Sequence, residues 1–154
     1  MQRRKPGFEG FTSRIVLGLA VLLTFAACSR PPDEERIREA IRTMQAAAEA
    51  HNASGVLDFI AEDFTGNNGE VDRDGLLQLL KLQLLNAGAF AAEARGISID
   101  VDEDRATAKF DLVVSDRSRR WLPSGGETYK VVTGWRREGS RWICYNATWA
   151  ESSR

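Results

Sequence analysis

Apolar residues recur at intervals of three and four along residues 34–51, where Ile37, Ile41, Met44, Ala48 and His51 alternate with Arg36, Arg38, Arg42 and Glu49. That spacing predicts an amphipathic helix whose alanine-rich middle permits close packing. Asp33 is placed to cap it, with Glu34 and Glu35 in the first turn, where the helix dipole favours anions. Asn52 to Gly55 breaks the pattern, and Ser54 is the candidate cap of a second, short helix carrying Val56, Leu57, Phe59, Ile60 and Phe64. Thr65 to Gly69 reads as a loop. Asp72 is the candidate cap of a third helix, in which Leu76, Leu77, Leu79, Leu80, Leu82, Leu84 and Leu85 cover most of the circumference until Gly88 ends it. A helix apolar on so many sides is expected to be buried on more than one of them, in the core or against a second copy of the chain.

From Arg95 the period changes to two. Ile97, Ile99 and Val101 alternate with Ser98, Asp100 and Asp102, and after a turn at Glu103-Asp104 the residues Ala106, Ala108, Phe110, Leu112 and Val114 alternate with polar ones. A longer connection, Ser118 to Gly126, leads to two more strands, about 127–137 and 141–149, joined at Glu138-Gly139-Ser140. Strict alternation places Tyr129, Val131, Thr133 and Trp135 on one face. On the last strand it separates Ile143, Tyr145, Ala147 and Trp149 from Trp142, Cys144, Asn146 and Thr148. Three helices followed by four antiparallel strands make the fold class α+β, in one domain.

The apolar tract at the start of the chain changes the picture of where the domain resides. Arg3, Arg4, Lys5 and Arg14 precede Ile15 to Ala27, thirteen residues that are apolar apart from Thr24. A spanning helix needs about 20 residues, so the tract suits a cleaved export signal. It ends in Phe25-Ala26-Ala27-Cys28, which resembles the lipobox of bacterial lipoproteins, with Phe25 standing where that family prefers leucine. The resemblance implies a signal peptide over 1–27, diacylation of the Cys28 thiol, cleavage before it, acylation of the new amine and a lipidated tether over 28–33. Several acyl chains, at about 0.8 kcal/mol per buried CH₂, hold a protein on a bilayer durably. In enteric bacteria Asp after the lipidated Cys retains such proteins on the inner membrane. Ser29 is not Asp, and attachment to the outer membrane facing the periplasm is the expectation.

The whole chain has a net charge of −1. Removing residues 1–27 takes away Arg3, Arg4, Lys5, Arg14 and Glu9, leaving 17 basic against 21 acidic side chains, a net charge of −4. A mildly acidic domain without a basic stripe is not a nucleic-acid binder. With Cys28 lipidated, Cys144 has no partner within the chain, and it reads as a small buried hydrophobe on a strand. His51 is the only histidine, which excludes metal sites built from several imidazoles, and its place suits the end of the first helix. Gly66-Asn67-Asn68-Gly69 lacks the lysine of a phosphate-binding loop, and no cofactor is implied.

Residues 34–150 resemble the nuclear transport factor 2-like superfamily, a cone-shaped α+β fold shared with steroid isomerases and polyketide-cyclase-like proteins. The first helix running into "GVLDFIAEDFTG", the "EVDRDGLLQLL" entry to the third helix, and the close on "RWICYNATW" carry the likeness. The family implies three helices on a curved antiparallel sheet with a pocket between them. Along it the expected side chains are Met44, Phe64, Trp135, Tyr145 and Asn146, with Asp111 a pocket carboxylate should the cone close over its face and a solvated one otherwise. Aligned on Glu62-Asp63, the oxyanion-binding tyrosine of steroid isomerases falls on Met44 and their general base on Asn68; neither residue can do that work. A shifted register would bring Glu70 or Asp72 into play. The leading expectation is non-catalytic binding of a small apolar ligand or a protein partner. The alternative is an isomerase, dehydratase or cyclase using Asp111 or an acid among residues 62–72. Homodimerisation through the leucine-rich third helix or the Trp-rich strands is a further expectation.

Overall fold

The computed structural model describes residues 32–86, 90–116 and 127–152. The expected signal segment 1–27, Cys28 with the first residues of the expected tether, Gly88 and the connection 118–126 lie outside them. No helix among the described residues is long and apolar enough to cross a membrane.

Among the described residues three helices and six strands form, in the order α1 (Asp33–Glu49), α2 (Ala53–Leu57), β1 (Ile60–Gly66), a 3₁₀ turn (Asn67–Gly69), β2 (Val71–Asp72), α3 (Arg73–Asn86), β3 (Phe90–Asp102), β4 (Arg105–Asp116), β5 (Glu127–Glu138) and β6 (Arg141–Glu151). They make one six-stranded sheet in the order β2-β1-β6-β5-β4-β3. All neighbours are antiparallel except β1 and β6, which run parallel. The α+β class holds, with two strands beyond the four read from alternation. Glu62 and Asp63 lie on β1 rather than at the end of a helix, because α2 stops at Leu57.

The core lies between the sheet and the helices. Ile37, Ala40 and Ile41 of α1 meet Trp135, Trp142, Cys144, Ala106 and Ala108 of the sheet, with Leu57, Ile60 and Phe64 closing one side. Leu76, Leu77 and Leu80 of α3 pack against this cluster, whereas Leu79 and Leu82 face solvent, so α3 is covered on one side and not all round.

Side chains of α1 also cover the free edge of β3. Arg38 donates to the Ile97 carbonyl, and the Gln45 and Glu49 side chains accept from the Ala94 and Ala92 N–H groups at 3.1 and 3.2 Å. Unpaired edge groups that would otherwise invite another strand are thereby occupied.

Caps depart from expectation in two places. Asp33 is the first helical residue, not a cap; Pro32 precedes the helix and its carbonyl accepts from Glu35 and Arg36 N–H. The cap of α2 is Asn52, whose Oδ1 accepts from Gly55 N at 3.0 Å, two residues earlier than the expected Ser54. Helix α1 ends in a Schellman motif: His51 N–H donates to Ala48 O and Asn52 N–H to Ala47 O, with His51 at φ 57°. Asp72 does cap α3, accepting from Gly75 N at 2.7 Å.

A β-carbon in the left-handed region is strained, so His51→Gly is expected to stabilise the domain by roughly 0.5–1 kcal/mol. A chemical-denaturation midpoint shifted upward at unchanged slope is the expected result; an unchanged or lower midpoint contradicts it.

Two bulges decide which side chains face the helices. One lies in β3 between Arg95 and Ser98. The other lies in β6, where Cys144 pairs with Trp135 and Asn146 with Gly134, leaving Tyr145 as the extra residue. Residues paired across an antiparallel ladder share a face. Trp142 and Cys144 therefore stand on the core side together with Ala147 and Trp149, while Tyr145 and Asn146 stand on the outer side with Gly134. This corrects the strict alternation, which placed Ala147 and Trp149 with Tyr145.

Candidate functional site

Along the core face of β4, β5 and β6, burial falls in one direction, whereas on β3 Val101 and Ile99 are partly exposed and Ala92 is buried. At the Asp33 end Trp135, Cys144 and Trp142 are 1–3% exposed. Further along, Ala108 and Ala147 remain buried, and beyond them Phe110, Leu112 and Val114 of β4 and Trp149 of β6 are half-exposed. Met44 of α1 and Leu76, Leu77 and Leu80 of α3, also half-buried, pack against the same cluster. Over β4, β5 and β6 the helix-sheet layer thus has a tightly packed end and a more accessible apolar end.

Gly66 shapes the accessible end. A β-carbon there would lie 2.9 Å from the Trp149 ring and 3.2 Å from Phe64, so only glycine lets the indole lie across β1. Trp149 is further fixed by its backbone N–H, which donates to Asn67 Oδ1 at 3.0 Å.

The packed end is organised by one carboxylate. Asp33 accepts from Arg36 and Trp142 Nε1 at 2.9 Å and from Arg137 at 2.7 Å. The indole N–H of Trp142, with the two guanidinium groups, holds the Asp33 carboxyl below its usual value. Arg137 stacks on the Trp142 ring and ties in the β3–β4 turn through the Glu103 carbonyl, while Arg36 donates to the Ser140 carbonyl.

The expected site residues do not converge. Met44, Phe64 and Trp135 lie on the helix side, Phe64 and Trp135 fully buried. Asp111, Tyr145 and Asn146 lie on the outer face and cannot line the same cavity, because Asp111 shares its face with Arg105 and the β6 bulge turns Tyr145 and Asn146 outward. Asp111 is half-exposed and pairs with Lys130 at 3.5 Å. Tyr145 covers Gly134 and carries Arg105 on its ring, and Asn146 donates to the carbonyl and hydroxyl of Thr65.

The other acids are placed no closer to the accessible end's inner face. Glu62 is exposed. Asp63 makes a bidentate pair with Arg136 on the outer face at 2.7 and 2.8 Å, which lowers its pKa. Glu70 and Asp72 border a shallow surface groove of about 410 Å³ along α3, with Gln78, Leu79 and Leu82. Asn68 sits in an exposed turn at φ 62°. Cys144 is the expected buried hydrophobe, its thiol pushed up to about 12 by burial. Among the described residues no group of three His, Cys, Asp or Glu side chains is arranged to hold a metal.

The topology and the two-ended layer can now be set against known proteins. No protein-family model matches the sequence, and no curated protein matches it. Solved structures do. An NTF2-like protein of unknown function from Pseudomonas putida superposes with a TM-score of 0.69 at 16% identity, over 79% of this chain and 88% of the other. The fold is NTF2-like. A second protein of this fold, described as NTF2-like with a cystatin-like fold and from Novosphingobium aromaticivorans, superposes at 0.62 with 20% identity, over 94% of this chain and 92% of its own. From the same organism comes a protein proposed to be a scytalone dehydratase, at 0.64 and 13% identity, over 79% of this chain and 85% of that one. Within the NTF2-like fold of this chain, the half-exposed Phe110, Leu112 and Leu80 were legible as apolar periods but not as a site; their uniform hydrophobicity reads as core until the burial gradient separates the two ends.

Proposed function

We propose that the chain is a lipid-anchored protein of the bacterial cell envelope whose NTF2-like domain binds a small apolar ligand, without catalysis, at the accessible end of the cone. What supports the reading is the set of partly buried apolar side chains packed on the core: Met44, Leu76, Leu77, Leu80, Phe110 and Trp149, from two helices and the sheet. Such a lining favours ligands through area removed from water, about 25 cal/mol per Å². A pocket enzyme of the isomerase, dehydratase or cyclase kind is the competing reading, favoured by the structural likeness to a protein proposed to be a dehydratase. It requires an acid or base facing those walls. Asp111, Glu62, Asp63, Glu70 and Asp72 are engaged or exposed elsewhere, which supports binding over proton transfer.

The anchor rests on the lipobox-like stretch ending at Cys28. Lipidation there and retention at the outer membrane, facing the periplasm, complete the proposal. Cys28→Ser is expected to move the protein from the membrane pellet to the soluble periplasmic fraction; a variant that still sediments contradicts the anchor.

For the binding site, the soluble Cys28→Ser protein titrated with the fluorescent apolar probe N-phenyl-1-naphthylamine should show saturable enhancement. Phe110→Glu places a charge among apolar walls and should weaken the probe by about tenfold or more, corresponding to about 1.4 kcal/mol or more. Leu82→Glu, on the solvent side of α3, should leave it unchanged. Equal loss in both variants, or no saturable binding, sinks the assignment.

A further inference from the structure

Strand register places three polar side chains at the accessible end. Leu112 of β4 lies opposite Tyr129 of β5, and Tyr129 lies opposite Glu151 of β6; one step further out, Val114 lies opposite Glu127. Partners across an antiparallel ladder share a face. Tyr129, Glu127 and Glu151 therefore stand on the helix side of the sheet, continuing the row that Trp135, Thr133 and Val131 begin. Ser152 N–H donates to the Thr128 carbonyl at 2.7 Å, so β6 stays joined to β5 as far as Glu151.

The three side chains act on one another. The Tyr129 hydroxyl donates to Glu127 Oε2 at 2.7 Å. That bond, with burial and the charges of Glu127 and Glu151, holds the phenol above its ordinary value of 10.0. Its proton is committed to Glu127, and what the phenol leaves for a guest is an acceptor oxygen. Tyr129 is half-buried, whereas Glu127 and Glu151 are exposed, which makes the carboxylates rim charges and not buried bases.

No strand cation answers them. Among the described residues of β3 to β6, Arg137 is the one Lys or Arg on the helix side, and it lies at the packed end on the Trp142 ring. Lys130, next to Tyr129 in the chain, faces outward and pairs with Asp111 at 3.5 Å. Trp149, opposite Val131, adds an aromatic ring beside the acidic rim. An anionic amphiphile would meet two like charges there, and a neutral one would leave both without a counter-charge. A protonated amine satisfies every group: it is attracted to both carboxylates, donates to the Tyr129 oxygen and lies against aromatic faces.

We infer that the accessible end selects apolar molecules bearing a protonated amine, with the apolar part along Met44, Phe110 and Trp149 and the ammonium at Tyr129, Glu127 and Glu151. This rests on the proposed binding site and names the class of its ligand.

The test is competition for that site. Dodecylammonium, dodecanol and dodecanoate, each below its micellar concentration, are titrated against N-phenyl-1-naphthylamine on the Cys28→Ser protein, and half-displacement concentrations are compared within each variant. Dodecylammonium should displace the probe at about one-tenth the concentration of dodecanoate, with dodecanol between them, the discrimination that two exposed carboxylates supply. Added salt should narrow the gap. Glu127→Gln combined with Glu151→Gln should bring the two ions near parity, and Tyr129→Phe should narrow the gap in part. Glu103→Gln, at the β3–β4 turn of the packed end, should keep the wild-type order.

Equal competition by the two ions in wild type, or a preference for dodecanoate, overturns the selectivity and leaves the apolar site standing. A wild-type preference that survives in the doubly substituted protein overturns its assignment to this rim. Absence of saturable probe binding in wild type is a separate result, which removes the proposed site and this inference with it.

Discussion

Asp33→Ala should destabilise the domain by about 2–4 kcal/mol, because one substitution leaves a buried indole N–H and two guanidinium groups without their shared acceptor. Trp142 is 3% exposed, so water cannot readily replace the carboxylate at Nε1. Arg137 would keep Asp104, 2.9 Å from its Nε, and Arg36 would keep the Ser140 carbonyl, which holds the loss to that range. Loss of an anion from the first turn of α1 adds to it. For a domain of this size the melting temperature should fall by about 10 °C.

The sign of the pH dependence follows from the lowered carboxyl pKa. Above the ordinary aspartate value of 3.8 the stabilisation from Asp33 is fully present. As pH falls through the lower native value it is lost, since the unfolded chain takes up a proton that the native state excludes. Wild type should therefore lose its advantage over Asp33→Ala as the solution is acidified below about pH 3.8. Parallel curves at all pH values would show that Asp33 contributes by packing and not by charge. A cycle with Trp142→Phe isolates the indole contribution: non-additivity of the two substitutions is expected, and strict additivity refutes direct coupling.

How much of this was legible in the sequence depends on whether the signal was periodic. Helix α1 and strands β4 and β5 repeat at 3.6 or 2 over many residues, and they form where the pattern predicts. Strand β1 was read as helix because Ile60 and Phe64 are four apart, a spacing that suits a helix face. Its strand character comes from pairing with β6, more than 80 residues away, across a register irregularity between Ile60 and Thr65. The bulge at Tyr145 was similarly hidden, although Trp142 and Trp149 are seven apart and cannot share one face of an uninterrupted strand. Asp33 looked like a cap because its type and position fit one. That it serves as the acceptor joining α1 to β5 and β6 depends on contacts more than 100 residues away in the chain. The expected pocket residues scattered for the same reason: with a strict period of two, no residue-by-residue reading could place Tyr145 and Trp149 on opposite faces.

Gly66→Val is the substitution expected to couple stability and binding most directly. At position 66 the first side-chain carbon would meet the Trp149 ring at 2.9 and 3.0 Å and Phe64 at 3.2 Å, closer than atoms in a packed interior tolerate. Phe64 is 2% exposed and has no room to retreat. Trp149 is half-exposed and can move only by giving up its place over β1, against the backbone bond to Asn67. Overpacking of this kind costs about 1–3 kcal/mol, and the second methyl of valine places the substitution at the upper end. Gly66→Ala makes the first contact alone and should cost less.

Because Trp149 is one wall of the apolar end, its displacement should also weaken N-phenyl-1-naphthylamine binding and shift the tryptophan emission to longer wavelength. A destabilised variant that binds the probe with unchanged affinity would separate Trp149 from the binding surface. A variant as stable as wild type would mean that β1 yields at Gly66 more easily than its packing against Phe64 implies.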